Sequence, residues 1–202
     1  NEFVNGKLNM EDRIKKGIMA GLDYDDNQAT YRDPEQVITY VEAHDNHTLW
    51  DKLELTNPNA SYEEKKERHK LASSIILTSQ GIPFIHAGQE FMRTKYGDHN
   101  SYKSPDAINQ LDWKRNAEFV NEVKYMSGLI DLRKNHPVFR MTEASAIKDS
   151  IRFLNAPVNT IAYTITEPSR GKQDGSYSVA HNANTNDVEV VLPRNAVWNV
   201  LV

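Results

Sequence analysis

Hydrophobic periodicity changes once along the chain. Up to about residue 136, stretches with apolar positions three and four apart alternate with short, nearly continuous apolar runs; beyond His136-Pro137 the period shortens to two. Residues 37–43, Val-Ile-Thr-Tyr-Val-Glu-Ala, are β-branched and aromatic and predict a buried strand. Ser61 and Glu64 have the spacing of a capping box, and a helix is expected over about 63–79. Leu71, Ala72, Ile75 and Ile76 would form its apolar face, with Glu63, Lys66, Glu67 and Lys70 mostly opposite and His69 at the surface. Gly81 closes that helix, and residues 82–87 predict a second short strand, with Pro83 tolerable near its start. Strand, helix, strand in this order is a βαβ unit, so the two strands are expected to run parallel.

The polar stretch 88–112 is read as one long loop, too long for a bare connection and therefore a functional candidate. A further helix is expected over about 117–135, with Val120, Val123, Met126, Leu129, Ile130 and the stem of Arg133 on its apolar stripe and Pro137 as its stop. From Ile151 onward, strands are expected at 151–154, 160–165, 177–182, 188–192 and 197–202. Gly171, Asp174-Gly175 and residues 184–186 supply the turns. This part predicts a small antiparallel β domain, truncated at its end. The first residues, Asn1 to Gly6, lack the basic start and apolar core of a signal peptide, and both ends read as cuts in a longer chain.

Composition narrows the classes. At 202 residues the chain suits one compact domain or two small ones. A net charge of -4 gives no electrostatic reason to expect nucleic acid or an anionic membrane. With no cysteine, disulfides, thiolate metal sites and cysteine catalysis are excluded. No apolar run approaches the ~18 residues of a membrane span.

The candidate chemistry gathers where the first strand stops. His44-Asp45-Asn46-His47 follows the apolar run directly, and in parallel sheets and barrels the carboxyl ends of strands face the ligand. A polar loop that solvates a strand end is the equal alternative. His44, Asp45 and His47 are suitable metal ligands, but no second His-rich cluster supports them. A His-Asp phosphohydrolase would place the pair on a helix, which the strand context opposes. Glu90 is either catalytic or a buttress of its loop, with the buttress favoured. Asp98, Asp106, Asn109 and Asp112 lie with Tyr102 and Trp113 in the long loop; such side chains grip sugar hydroxyls and stack on pyranose rings, although loop polarity alone explains them equally well. Tyr24-Asp25-Asp26-Asn27 lacks the spacing of a calcium loop and reads as a turn.

Three stretches carry a family resemblance. Residues 40–53, Tyr-Val-Glu-Ala-His-Asp-Asn-His-Thr-Leu-Trp-Asp-Lys-Leu, resemble the last conserved catalytic region of type I pullulanases, the α-1,6-glucan debranching members of the α-amylase superfamily (glycoside hydrolase family 13). Residues 77–91, including Gln80-Gly81-Ile82-Pro83-Phe84-Ile85-His86-Ala87-Gly88, resemble the final barrel strand of that family. Residues 97–113 resemble the loop that follows, and their Ser101-Tyr102-Lys103-Ser104-Pro105-Asp106 favours pullulanase over other debranching enzymes such as isoamylases.

The resemblance implies an α/β fold: residues 1–136 as the last strands and helices of a (β/α)8 TIM barrel, and residues 137–202 as an incomplete all-β antiparallel sandwich. It also implies retaining glycoside hydrolysis, in which an Asp nucleophile and a Glu acid/base stand about 5–5.5 Å apart. Asp45 matches the third, transition-state-stabilising carboxylate. His44 would hydrogen-bond the same sugar, Asn46 would line the pocket, and Asp106 and Asn109 would contact glucose one or two units further along. The motifs carrying the nucleophile and the acid/base are missing, and Phe3 to Gly6 resembles sequence that follows the acid/base strand. The chain alone is therefore expected to be inactive. The implied partners are branched α-glucan or pullulan and the upstream part of the same enzyme. No cofactor is required for the chemistry, and there is room for structural calcium elsewhere in the full enzyme. The alternative is a non-catalytic carbohydrate-binding or structural fragment.

Overall fold

The computed structural model describes residues 2–167, 175–193 and 197–202. Helix α1 (Glu11–Ile18) carries Glu11 and Asp12 in its first turn and Lys15 and Lys16 in its last, so its charges complement its own dipole. It is followed by β1 (Ile38–Thr39), by α2 (Leu49–Thr56) with Thr48 as N-cap, and by α3 (Tyr62–Thr78). Half of the expected capping box of α3 is present: Ser61 Oγ accepts a hydrogen bond from the Glu64 amide at 3.1 Å, while the Glu64 carboxylate turns to Arg68 Nη2 at 2.7 Å instead of back to Ser61. Strand β2 (Ile82–Pro83) pairs with β1 in parallel, Ile38 opposite Ile82 and Thr39 opposite Pro83, as the βαβ order predicts.

Both strands are shorter than the apolar runs that encode them. Among the described residues the ladder is a two-stranded one and pairs two residues of each strand. Ile38, Tyr40, Ile82 and Phe84 lie exposed, and the Tyr40 and Phe84 rings meet edge-on at 6.0 Å.

Helix α3 departs from its expected two-faced pattern. Leu71 is half-buried and Ala72, Ile75 and Ile76 are buried, but Lys65 and His69 are buried as well. The surface expectation for His69 is thus corrected. Neighbours cover α3 on more than one side, α6 and the loop after β2 among them.

The stretch 88–112 is not a plain loop. It contains two 3-10 turns, at Gln89–Phe91 and Ser101–Lys103, and the single-turn helix α4 (Asp106–Asn109). Phe91 and Met92 are fully buried against Trp50 and Phe119 and anchor it. The single helix expected over 117–135 is two: α5 (Trp113–Glu118), capped by Asp112, and α6 (Val120–Asn135). The break falls at Phe119, whose ring is buried in the cluster just named. Met126, Leu129 and Arg133 of the predicted stripe are buried, while Val120 is exposed. Arg133 donates to the carbonyls of Leu77, Ser79 and Gly81 at 3.1, 2.6 and 2.8 Å, a cation closing the end of α3.

Beyond Pro137 a 3-10 turn (Pro137–Arg140) and α7 (Ala144–Ser150), neither anticipated, lead into β3 (Ile151–Leu154), β4 (Thr160–Thr166) and β5 (Ser176–Asn182). These form an antiparallel sheet in the order β3-β4-β5, with Ile151 opposite Ile165 and Ile161 opposite His181. The strands expected at 188–192 and 197–202 do not form among the described residues: Val191, Val197 and Val200 are 85%, 91% and 93% exposed. The turn at 184–186 is present, closed by the Asn182 side chain donating to the Asn186 carbonyl at 2.8 Å. Gly175 enters β5 with φ +99°. Asn1, Gly171 and Asp174 lie outside the described residues.

One core spans these parts. Phe3, Ile18, Leu22 and Ile75 pack in the same cluster as Ile151, Ile161, Tyr163 and Ile165. The Tyr163 hydroxyl donates to the Thr78 carbonyl at 3.1 Å, tying the sheet to the end of α3. Among the described residues no helix is long and apolar enough to cross a membrane.

Candidate functional site

The end of the β1 run turns from core to solvent within four residues. Val41 packs against the main core and Glu42 is buried, whereas His44 and Asp45 project outward with side chains 85% and 77% exposed. Their Nε2 and Oδ2 atoms lie 3.5 Å apart. Asn46 turns the chain with a left-handed φ of +62°. The buried Thr48 then starts α2, its hydroxyl accepting from the Asp51 amide at 3.1 Å.

Several side chains hold this turn from below. One Glu42 carboxylate oxygen accepts the Leu49 amide and the other accepts His86 Nδ1 at 3.1 Å. The buried Lys95 ammonium donates to the His44 carbonyl at 3.0 Å. Asp51 accepts the Thr94 hydroxyl at 2.5 Å and the Lys95 amide at 2.8 Å, which fixes the segment carrying that ammonium. The His47 ring stacks on His99, centroids 5.5 Å apart, so the long stretch after β2 lies directly beside the strand end.

The other sequence candidates divide. Asp106 is exposed at the start of α4. The Asn109 side chain donates to the Ser101 and Ser104 carbonyls at 2.7 and 3.0 Å and so shapes the turn that presents Asp106. The link from this turn to the His44–Asp45 loop is indirect, through Arg93, which donates to the Asn109 carbonyl and to His86. Glu90 accepts the Gly88 amide at 3.1 Å, the buttress expected of it. Asp98 accepts Ser104 Oγ at 2.5 Å and the Asn100 amide at 2.9 Å, and these bonds hold its carboxyl below the usual range. Asp112 caps α5, accepting the Lys114 amide at 3.0 Å. Tyr102 and Trp113 expose their rings, 73% and 63%. Tyr24 and Asn27 exchange backbone hydrogen bonds around Asp25, which is the turn predicted there.

Among the described residues no group of three His, Asp or Glu side chains is arranged to hold a metal ion. The outward face at the strand end is a donor–acceptor pair in water, suited to binding hydroxyls. The sequence reading missed Glu42, His86, Arg93 and Lys95. A signal existed for two of them: Glu42 and His86 each interrupt an apolar run near its carboxyl end, where a buried polar side chain needs partners.

Known proteins share this arrangement of elements. Residues 147–202 match the family model described as "Pullulanase, all-beta domain". The pullulanase of Bacillus subtilis (strain 168) is 44% identical over 199 residues, 98% of this chain and 28% of that protein. The crystal structure of Paenibacillus barengoltzii pullulanase in complex with maltohexaose and α-cyclodextrin superposes with a TM-score of 0.92 at 48% identity, over 98% of this chain and 31% of that one. The type I pullulanase of Bacillus subtilis str. 168 complexed with maltose gives 0.89 at 39% identity, over 96% and 27%. The chain thus spans under a third of the length of these relatives. With such identity along nearly all of its own length and the same fold in solved type I enzymes, this chain belongs to the pullulanase family.

Proposed function

We propose that this chain is part of an α-1,6-glucan debranching glycoside hydrolase of the pullulanase type. Residues 1–136 contribute the last strands and helices of a (β/α)8 barrel, and residues 137–202 contribute a C-terminal β domain. The observation that carries this reading is the His44–Asp45 pair, held outward in the loop that follows the carboxyl end of the parallel strand β1 by buried polar side chains. The bare apolar residues Ile38, Tyr40, Ile82 and Phe84 support the barrel, because parallel sheets are covered on both faces.

In this reading Asp45 accepts hydrogen bonds from the hydroxyls of the glucose unit being distorted. Those bonds strengthen as the ring flattens towards an oxocarbenium-like state, so binding is tighter in the transition state than in the ground state. His44 binds the same sugar and Asn46 lines the pocket. Asp106 and Asn109 belong to the stretch that receives glucose further along the chain. The nucleophilic Asp and the acid/base Glu of the retaining mechanism come from the upstream part of the enzyme, and the chemistry uses no cofactor. The substrate is pullulan or a branched α-glucan; the maltooligosaccharides bound to the related structures are of that chemical class.

The test is pullulan hydrolysis measured by reducing-end release. The 202-residue chain alone should release none, and the same chain joined to the upstream part of a pullulanase should be active. Turnover by the chain alone, or inertness of the joined enzyme, contradicts the assignment.

A further inference from the structure

We propose that Glu42, His86 and Arg93 are positioning residues forming one polar relay, which couples the loop bearing His44 and Asp45 to the turn bearing Asp106 and Asn109. The inference rests on the reading of those four residues as glucan contacts and adds that the two stretches act as one unit.

The polarity of the hydrogen bonds fixes the relay. Arg93 Nη1 lies 3.2 Å from His86 Nε2, and a guanidinium only donates, so Nε2 must accept. The imidazole proton therefore sits on Nδ1, which donates to Glu42 Oε1 at 3.1 Å. The other Glu42 oxygen accepts the Leu49 amide, closing the loop that holds His44 and Asp45 at its base. At the far end Arg93 donates through Nη1 to the Ala87 carbonyl at 3.2 Å and through Nη2 to the Asn109 carbonyl at 2.5 Å. A neutral ring thus lies between a buried carboxylate and a guanidinium, with the Glu42 side chain 1% and the His86 side chain 11% exposed. The relay starts at the backbone of one candidate sugar-binding stretch and ends at the backbone of the other. A shift at either end must break one of these hydrogen bonds, the one at the Leu49 end buried and the one at the Asn109 end part-buried, or carry the other end with it.

Glu42→Gln tests this with almost no change of shape. A carboxylate accepts both the Leu49 amide and His86 Nδ1–H, whereas a glutamine offers one oxygen and an NH2 group. With its oxygen on the Leu49 amide, its NH2 faces Nδ1 and drives the ring proton to Nε2, where it opposes Arg93. The first measurement is the 15N chemical shifts of the His86 ring. The protein should show a protonated Nδ1 and a bare Nε2, and Glu42→Gln should reverse them. An Nε2-protonated ring in the unsubstituted protein overturns the relay.

The second measurement is kinetic, in the enzyme completed by its upstream part. Glu42→Gln and Arg93→Lys should each lower kcat/KM on pullulan by about ten- to a hundredfold. In each variant the further effect of Asp106→Ala on maltotetraose affinity should be smaller than in the parent. Full additivity of Asp106→Ala with both relay variants overturns the coupling even if the tautomer is as stated. A near-normal Asp45→Asn enzyme contradicts instead the glucan reading, and with it the relay's role, while leaving the tautomer result intact.

Discussion

Asn46 occupies a backbone conformation that most side chains avoid. Its φ of +62° lies in the left-handed region, where asparagine and glycine are the residues best tolerated. Asn46→Gly should therefore leave stability nearly unchanged. Asn46→Val should cost about 1–2 kcal/mol and displace His44 and Asp45, as read from urea midpoints. Equal midpoints for the two variants would show that the turn is not constrained in this way. The outward residues of this site were legible in the sequence because they break an apolar run abruptly. The residues beneath them were not: Lys95 is 51 positions from His44 and nothing in its local sequence marks it as buried.

Helix α3 and strand β5 carry two imidazoles that burial forces to stay neutral. His69 in α3 is pushed down to about 3 by desolvation and then by the Arg115 charge, and His181 in β5 is pushed down to about 4 by desolvation. The His181 ring lies between the hydroxyls of Ser74 and Thr78 at 3.3 and 3.2 Å, joining the two elements. Both groups take up protons on unfolding near the ordinary histidine value of about 6.5. The unfolded chain thus binds more protons than the folded one below that pH, and stability is lost as pH falls from about 6.5 towards 4 and 3. Each tenfold difference in proton affinity between the folded and unfolded chain is worth about 1.4 kcal/mol, so denaturant midpoints should fall steeply over this window. His181→Gln should make the slope shallower, and an unchanged slope contradicts the account of that ring.

Element legibility follows the same division. The start of α3 and the paired strands β3, β4 and β5 follow from local signals, a capping residue and a period of two. The burial of His69 and the break at Phe119 depend on what other elements bring alongside, which periodicity does not encode.

At the scale of the whole molecule, helical structure continues past residue 136 to Ser150, the antiparallel sheet begins at Ile151, and the helices and the sheet pack through one core. Tyr163 and Ile161 of β4 lie in the same cluster as Ile18 and Ile75. A fragment of residues 1–136 should therefore show no cooperative thermal transition by circular dichroism, and a sharp melt would separate the two parts. Among the described residues 188–192 and 197–202 have strand-like alternation without strand structure, since alternation encodes which face is apolar and not which partner completes the backbone hydrogen bonds.

The account centres on Asp45. Its most direct test is kcat on pullulan for Asp45→Asn in the enzyme completed by its upstream part. The carboxylate's role in the transition state predicts a fall of about a hundredfold or more with the fold intact. A kcat within about twofold of the parent would remove Asp45 from the catalytic set and leave the strand end a solvated turn.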